Sequence, residues 1–255
     1  MTKIISILNH KGGVGKTTTA INLGASLARQ EKKTLVIDND AQANMTKGFG
    51  FVVEQGQSTI FESYKSGSPL PIHEVGKNLW IVPSSRKLET IQNTIADDYN
   101  KNHKLLEAIE PVQEQFDYIL IDCPPSLAIY TANALTASTH YLVIAQSGSD
   151  YSNDGVDQVI DMVDNQVKKY VNKNLKCLGI LVTYYDSQTN ISEAILDDLL
   201  EAHNGLVFNR KIRQLTKLKE ASYLGQDIFT YSPASEAAKD YRAFSIEVLD
   251  RIEKL

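Results

Sequence analysis

An α/β fold, with a mostly parallel sheet covered by helices on both faces, is predicted for this 255-residue chain by two observations. Strand-like apolar runs alternate with helical patterns along the chain, an order that right-handed crossovers wind into a doubly wound sheet. The first run, Ile4-Ile5-Ser6-Ile7-Leu8, leads directly into Asn9-His10-Lys11-Gly12-Gly13-Val14-Gly15-Lys16-Thr17-Thr18, which opens a helix. A strand, a glycine-rich turn and a helix N-terminus in that order aim several backbone N–H groups and a helix dipole at one point, where a polyphosphate sits.

The elements follow in order. Strands are predicted to end near Leu8, Asp38, Val82, Asp122, Gln146 and Thr183, with shorter ones around Val207 and Ile228. Helices are predicted to begin near Thr17, Leu88, Asn102, Ala128, Asp154, Ile191, Arg213 and Ser235. Residues 48–56 and 66–71 are loop-rich, and neither stretch is long or biased enough to link two domains. With 42% apolar residues and no apolar run near the roughly 18 to 20 residues a membrane span needs, the chain can bury one large core. The first residues already form a strand, so no signal peptide and no preceding helix-turn-helix are expected. The organisation predicted is a single-domain P-loop NTPase over residues 1–255, cytoplasmic. The two cysteines, Cys123 and Cys177, fall in or beside buried strands and read as core residues rather than disulfide or metal ligands.

The loop departs from the common pattern G-x-x-x-x-G-K-[ST], because its first glycine position is His10. Lys16 takes the usual slot reaching the β/γ-phosphates, and Thr17 that of the Mg²⁺-ligating hydroxyl. The loop from Lys11 through Gly12, Gly13, Val14, Gly15 and Lys16 to Thr17 and Thr18 is therefore the predicted nucleoside-triphosphate cradle. Lys11 is a second cation beside two glycines, a setting that suits close approach by another backbone. Two further strands end in acids: Thr34-Leu35-Val36-Ile37-Asp38-Asn39-Asp40 and Tyr118-Ile119-Leu120-Ile121-Asp122, the latter followed by Cys123-Pro124-Pro125-Ser126. Carboxylates at the C-terminal mouths of parallel strands face the crevice where such sheets bind ligands. Asp122 is the predicted metal-side acid. Asp38 and Asp40 also admit a plain strand-end turn.

At these residues the sequence resembles the ParA/MinD group of deviant-Walker ATPases, whose signature is K-G-G-x-G-K-[ST], and within it the short ParA/Soj type. The resemblance runs over almost the whole chain. It implies that Lys11 reaches the phosphates of a partner protomer in an ATP-sandwich homodimer, that Asp40 positions the attacking water, and that the D-x-P-P loop is a switch. It places Asn209 where a proline commonly lines the adenine pocket. It also implies slow ATP hydrolysis stimulated by a centromere-binding, ParB-like partner, and nonspecific double-stranded DNA binding in the ATP state. The sum is a plasmid or chromosome partition ATPase that associates with the nucleoid. The departures are Ala41 for a proline of the Asp40 loop, Gln188 for an arginine, and Asn209 itself.

Charge patterning bears on the DNA expectation. A net charge of −5 argues against wholesale nucleic-acid affinity. Yet Arg210, Lys211, Arg213, Lys217 and Lys219 occur within residues 208–219 with no acid among them, and Lys168, Lys169, Lys173 and Lys176 form a second island. Such runs are either solvated helix faces or phosphate contacts; the resemblance favours DNA for the first. Over the last twelve residues, 244–255, three acids offset two bases, and Ile246, Leu249, Ile252 and Leu255 read as a core-facing stripe, so no membrane anchor is expected. The competing reading is a MinD-like or cargo-positioning ATPase acting on a protein or membrane partner without DNA.

Overall fold

In the computed structural model, residues 1–126, 128–148 and 152–255 are described, the side chains of 152–154 excepted. Seven strands form one sheet: β1 (Lys3–Leu8), β2 (Thr34–Asp38), β3 (His73–Gly76), β4 (Leu79–Val82), β5 (Tyr118–Asp122), β6 (His140–Gln146) and β7 (Lys176–Thr183). Their order is β3-β4-β2-β5-β1-β6-β7, parallel throughout except for the antiparallel edge pair β3–β4. Strands alternate their apolar residues between two covered faces. Ile4 and Leu8 pack with Ile119 and Ile121 on one side, and Ile5 and Ile7 with Leu120 on the other. Both faces are buried, which is why these strands read as continuous apolar runs rather than as alternation.

The second of those faces carries α1 (Lys16–Arg29), α2 (Asn44–Gly48), α10 (Thr216–Tyr223), α11 (Ile228–Tyr231) and α12 (Glu236–Lys254). The first carries α3 (Ile60–Ser66), α4 (Ile91–Thr94), α5 (Lys104–Ile109), α6 (Ile129–Ala137), α7 (Ser152–Met162) and α9 (Asn190–Ala202), and the short α8 (Lys168–Tyr170) follows α7 in the chain. The register of β2 on β5 sets Asp38 directly beside Asp122, so both acidic strand mouths open at one edge with the loop after β1.

Several expectations are corrected. Ile228 begins a helix, not a strand, because the Asp227 carboxylate accepts from the N–H groups of Phe229 and Thr230 and caps that turn. Val207 makes only an isolated bridge to Ile180. The helix expected from Arg213 starts at Thr216, since Tyr185 and Ile212 to Gln214 exchange backbone hydrogen bonds that hold this stretch extended beside β7. Strand β3 and helices α2 and α3 were not expected, although α3 carries a legible capping box, Thr59 to Glu62. The stripe assigned to α12 holds at its middle, where Ile252 is buried and Leu249 packs against the core, and fails at its ends. Steps of three residues drift about 60° per step around a helix, and the observed buried face, Ala238, Tyr241, Phe244, Ser245, Val248 and Ile252, alternates threes and fours, leaving Ile246 and Leu255 exposed.

Candidate functional site

The loop from Asn9 to Gly15 is held from both sides. Asn9 is buried, donates its amide to the Ile144 carbonyl and accepts from the Lys11 N–H. Thr183, at the end of β7, donates to the Val14 carbonyl at 2.7 Å. Gly13 and Gly15 adopt φ of 78° and 96°, left-handed values that a side chain would resist. Gly15 is the N-cap of α1, with no side-chain cap, so the first N–H groups of that helix are left facing the loop. Lys16 is buried, and its Nζ donates to the Lys11 carbonyl at 2.7 Å, folding the ammonium back over the loop. Burial lowers its pKa, opposed by the nearby Asp122 charge.

Gly12, Gly13, Gly15, Lys16, Thr17, Thr18 and Asp40 line one open cleft of about 690 Å³, together with Gln42, Asn44, Pro125 and Tyr184. The sequence-predicted phosphate-loop residues thus converge with Asp40. Val14 is buried beneath the loop, which it serves through its carbonyl. Asp40 accepts from the Gln42 N–H at 2.9 Å, a local turn that fixes its carboxylate on the cleft wall.

Asp122, at the end of β5, is almost wholly buried, close to Lys16 and Thr17 of the loop. Neither carboxylate oxygen has a partner of full hydrogen-bond geometry among the described residues. Burial pushes its pKa well up, and the adjacent Asp38 charge adds to this, while the Thr17 hydroxyl and Lys16 oppose it. Asp38 is raised to about 6 by burial, but its oxygens are satisfied. One accepts from the Thr46 N–H at 2.8 Å and the Thr46 hydroxyl at 2.6 Å, and the other from the Asp40 N–H at 3.3 Å. Asp38 therefore anchors α2 and the turn before it, whereas Asp122 has the Lys16 charge and the Thr17 hydroxyl near it but, among the described residues, no hydrogen bond of full geometry.

Beside the cleft, and sharing Gly15 and Thr18 with it, is a second cavity of about 350 Å³ whose walls include Thr183, Tyr184, Ile212, Leu215, Leu218 and Tyr241. Tyr184, on the wall of both, has a φ of 53°, a strained value for a side chain of this size. Sequence reasoning missed it because a backbone angle leaves no mark in composition. Asn209 is not brought here. Its backbone N–H and its side-chain amide both donate to Glu247 on α12, at 2.8 and 3.1 Å, and it lines neither cavity.

The basic island is also rearranged. Arg213 makes a two-pronged pair with Asp240 and a third contact with Glu236, and Arg210 lies 3.9 Å from Asp240. These hydrogen bonds hold the Arg213 guanidinium firmly in its charged form. Lys217 pairs with Glu220 at 2.8 Å. Acids absent from the island in sequence are supplied largely by α12. Only Lys211, whose ammonium lies 5.9 Å from the Tyr185 ring centre, and Lys219, which borders the second cavity, have no acidic partner among the described residues. In the other island Lys168 pairs with Asp164, and Lys176 donates to the Leu255 carbonyl.

A parallel sheet whose first strand feeds a glycine-rich loop into a helix N-terminus, with a lysine on the loop and acids at the neighbouring strand ends, defines a P-loop NTPase. Comparison with known proteins narrows this. A family model described as an AAA domain matches residues 2–177. The chromosome partitioning protein ParA of Myxococcus xanthus is 35% identical over 252 residues, 98% of this chain and 88% of that protein. The sporulation initiation inhibitor protein Soj of Bacillus subtilis is 35% identical over 251 residues, 97% of this chain and 98% of Soj. Among solved structures, cobyrinic acid a,c-diamide synthase from Mycobacterium smegmatis, with a bound ATP analogue and magnesium, superposes with a TM-score of 0.86 at 26% identity, covering 99% of this chain and 96% of that one. The chain belongs to the ParA/MinD family of P-loop ATPases, on its ParA/Soj side. Among the described residues no helix is long and apolar enough to cross a membrane.

Proposed function

We propose that the protein is an ATP-dependent DNA-partitioning switch. The observation that carries this is a buried lysine of the cleft resting on a loop carbonyl, with the buried Asp122 carboxylate close to it and to Thr17 and, among the described residues, without a hydrogen-bond partner of full geometry. Both groups fit a Mg²⁺–triphosphate. Lys16 can exchange the Lys11 carbonyl for β/γ-oxygens, and Thr17 and Asp122 are the side chains that would hold the metal, directly or through water. Bound there, Mg²⁺ would neutralise charge on the transferring phosphoryl group.

In this reading Gly12, Gly13, Gly15, Lys16, Thr17 and Thr18 bind and orient the triphosphate through backbone N–H groups and the Lys16 ammonium. Asp40 orients the attacking water, and Lys11 reaches the phosphates of a second copy across a face-to-face homodimer. Catalysis is then mostly positioning and charge stabilisation, so turnover without a partner is slow. The base lies in the cavity beside Tyr184 rather than at Asn209. Two chains double the cations near α10, so that DNA affinity follows nucleotide state; a DNA-bound partner protein of ParB type resets the switch by stimulating hydrolysis. The 35% identity to a protein named for chromosome partitioning supports this over membrane or protein cargo.

The test is filter retention of nonspecific duplex DNA with ATP and with ADP at two salt concentrations, alongside light scattering of the protein. ATP-dependent, salt-sensitive retention by a dimer is expected. Retention independent of nucleotide, or none while liposomes are bound, overturns the reading.

A further inference from the structure

Asn39 lies between the two acids and is fully buried. Its backbone N–H donates to the Asp122 carbonyl at 3.1 Å, and its Nδ2 donates to the Tyr130 carbonyl at 3.0 Å. Those two carbonyls flank the segment that contains Pro124 and Pro125, since Asp122 closes β5 and Tyr130 is the second residue of α6. The Asn39 Oδ1 accepts from the Tyr64 hydroxyl at 2.9 Å. Tyr64, buried on α3, meets the Tyr130 ring edge-on with centroids 6.5 Å apart, and the Tyr130 hydroxyl donates to the Leu88 carbonyl at 2.7 Å. One side chain therefore joins the end of β2, the start of α6 and α3, and the next residue in the chain is Asp40. A buried amide is costly unless paired, and an aliphatic side chain would fill the same space without that requirement. Packing alone gives no reason for Asn here; the two hydrogen bonds do.

We propose that Asn39 is a positioning residue for hydrolysis, tying the peptide that carries Asp40 to the segment containing Pro124 and Pro125 so that the aim of Asp40 follows the placement of that segment. The inference rests on the hydrolase reading given above. Replacing the side chain leaves the backbone bond to Asp122 and the phosphate loop in place, so binding and chemistry separate. For Asn39→Leu, affinity for a fluorescent ATP analogue with Mg²⁺ stays within about threefold, while single-turnover hydrolysis in the presence of duplex DNA falls about tenfold to a hundredfold, the scale of a misplaced catalytic group. Tyr64→Phe removes one oxygen, keeps the wild-type melting temperature within a few degrees, and slows hydrolysis in the same direction by a smaller factor. Should Asn39→Leu fail to fold, Tyr64→Phe decides by the same two readouts. Wild-type hydrolysis by the folded variants, or affinity falling in step with rate, overturns the positioning role alone. A wild-type control that neither binds nor hydrolyses ATP overturns the hydrolase reading, and this inference with it.

Discussion

Asp38 and Asp122 stand side by side at adjacent strand ends, yet the chain treats them differently. Asp38 is buried and held at about 6, against 3.8 for a free aspartate, so the folded state keeps its proton to higher pH than the unfolded state does. The sign follows: the native state binds more protons across that interval, so this group makes stability fall as pH rises from about 4 to about 6, with no further change above. In Asp38→Asn the loss is absent. Without nucleotide or metal, the stability of the variant relative to wild type should grow by about 2 to 3 kcal/mol across that window and then level off. Denaturation of both proteins in EDTA from pH 4 to pH 8 measures it, and a difference independent of pH would refute the assignment. At the phosphate loop, Lys16→Ala removes the ammonium and should abolish tight nucleotide binding by titration calorimetry. Asp40→Ala leaves the cradle whole and should trap a dimer with ATP; a monomer in light scattering would count against the role given to Asp40.

Helix α12 shows how an element can be legible in kind but not in orientation. Its cap at Ser235 and its length could be read in the sequence, but its buried face could not, because a three-residue spacing of apolar positions is compatible with a stripe that turns away from the core. The same helix supplies Glu236, Asp240 and Glu247 to the residues after Phe208, so Arg213 acts as a brace between the β7 edge and α12. The Asp240 side chain is 2% exposed and that of Arg213 40% exposed, so Arg213→Ala leaves a buried carboxylate with weaker, partly solvated compensation. A loss of about 2 to 3 kcal/mol is expected, seen as a melting temperature lower by roughly 4 to 12 °C. A second joint is backbone on backbone: Gly225, after α10, has φ +66°, and a Cβ there would lie 2.7 Å from the Gly50 Cα. Gly225→Ala should destabilise by about 1 to 3 kcal/mol, since both the angle and the contact resist it; an unchanged melting temperature would show that the two loops can part freely.

For the molecule as a whole, nucleotide-dependent DNA affinity has to come from few cations. Arg210, Arg213 and Lys217 are occupied by acids, leaving Lys211 and Lys219 as the members of the island best placed to meet phosphate. In a symmetric dimer each substitution, Lys211→Ala or Lys219→Ala, should reduce the salt slope of ATP-dependent DNA retention by about 2, one per protomer, without changing nucleotide affinity. Lys217→Ala should change it less. Equal effects from all three would mean that the ion pair to Glu220 opens on DNA.

The sequence by itself determined the phosphate loop, the acid-tipped strands and the parallel α/β plan. Each of these is carried by residues contiguous in the chain, where a turn, a helix N-terminus or a buried strand writes its requirements locally. Tertiary structure alone decided that Asn209 turns to Glu247 and away from the cavities, that acids of α12 pair with Arg210 and Arg213 of the basic island, and that Asn39 meets Tyr64 and Tyr130. These outcomes depend on which surfaces pack together across tens of residues, and neither the periodicity nor the charge of a single segment contains that information.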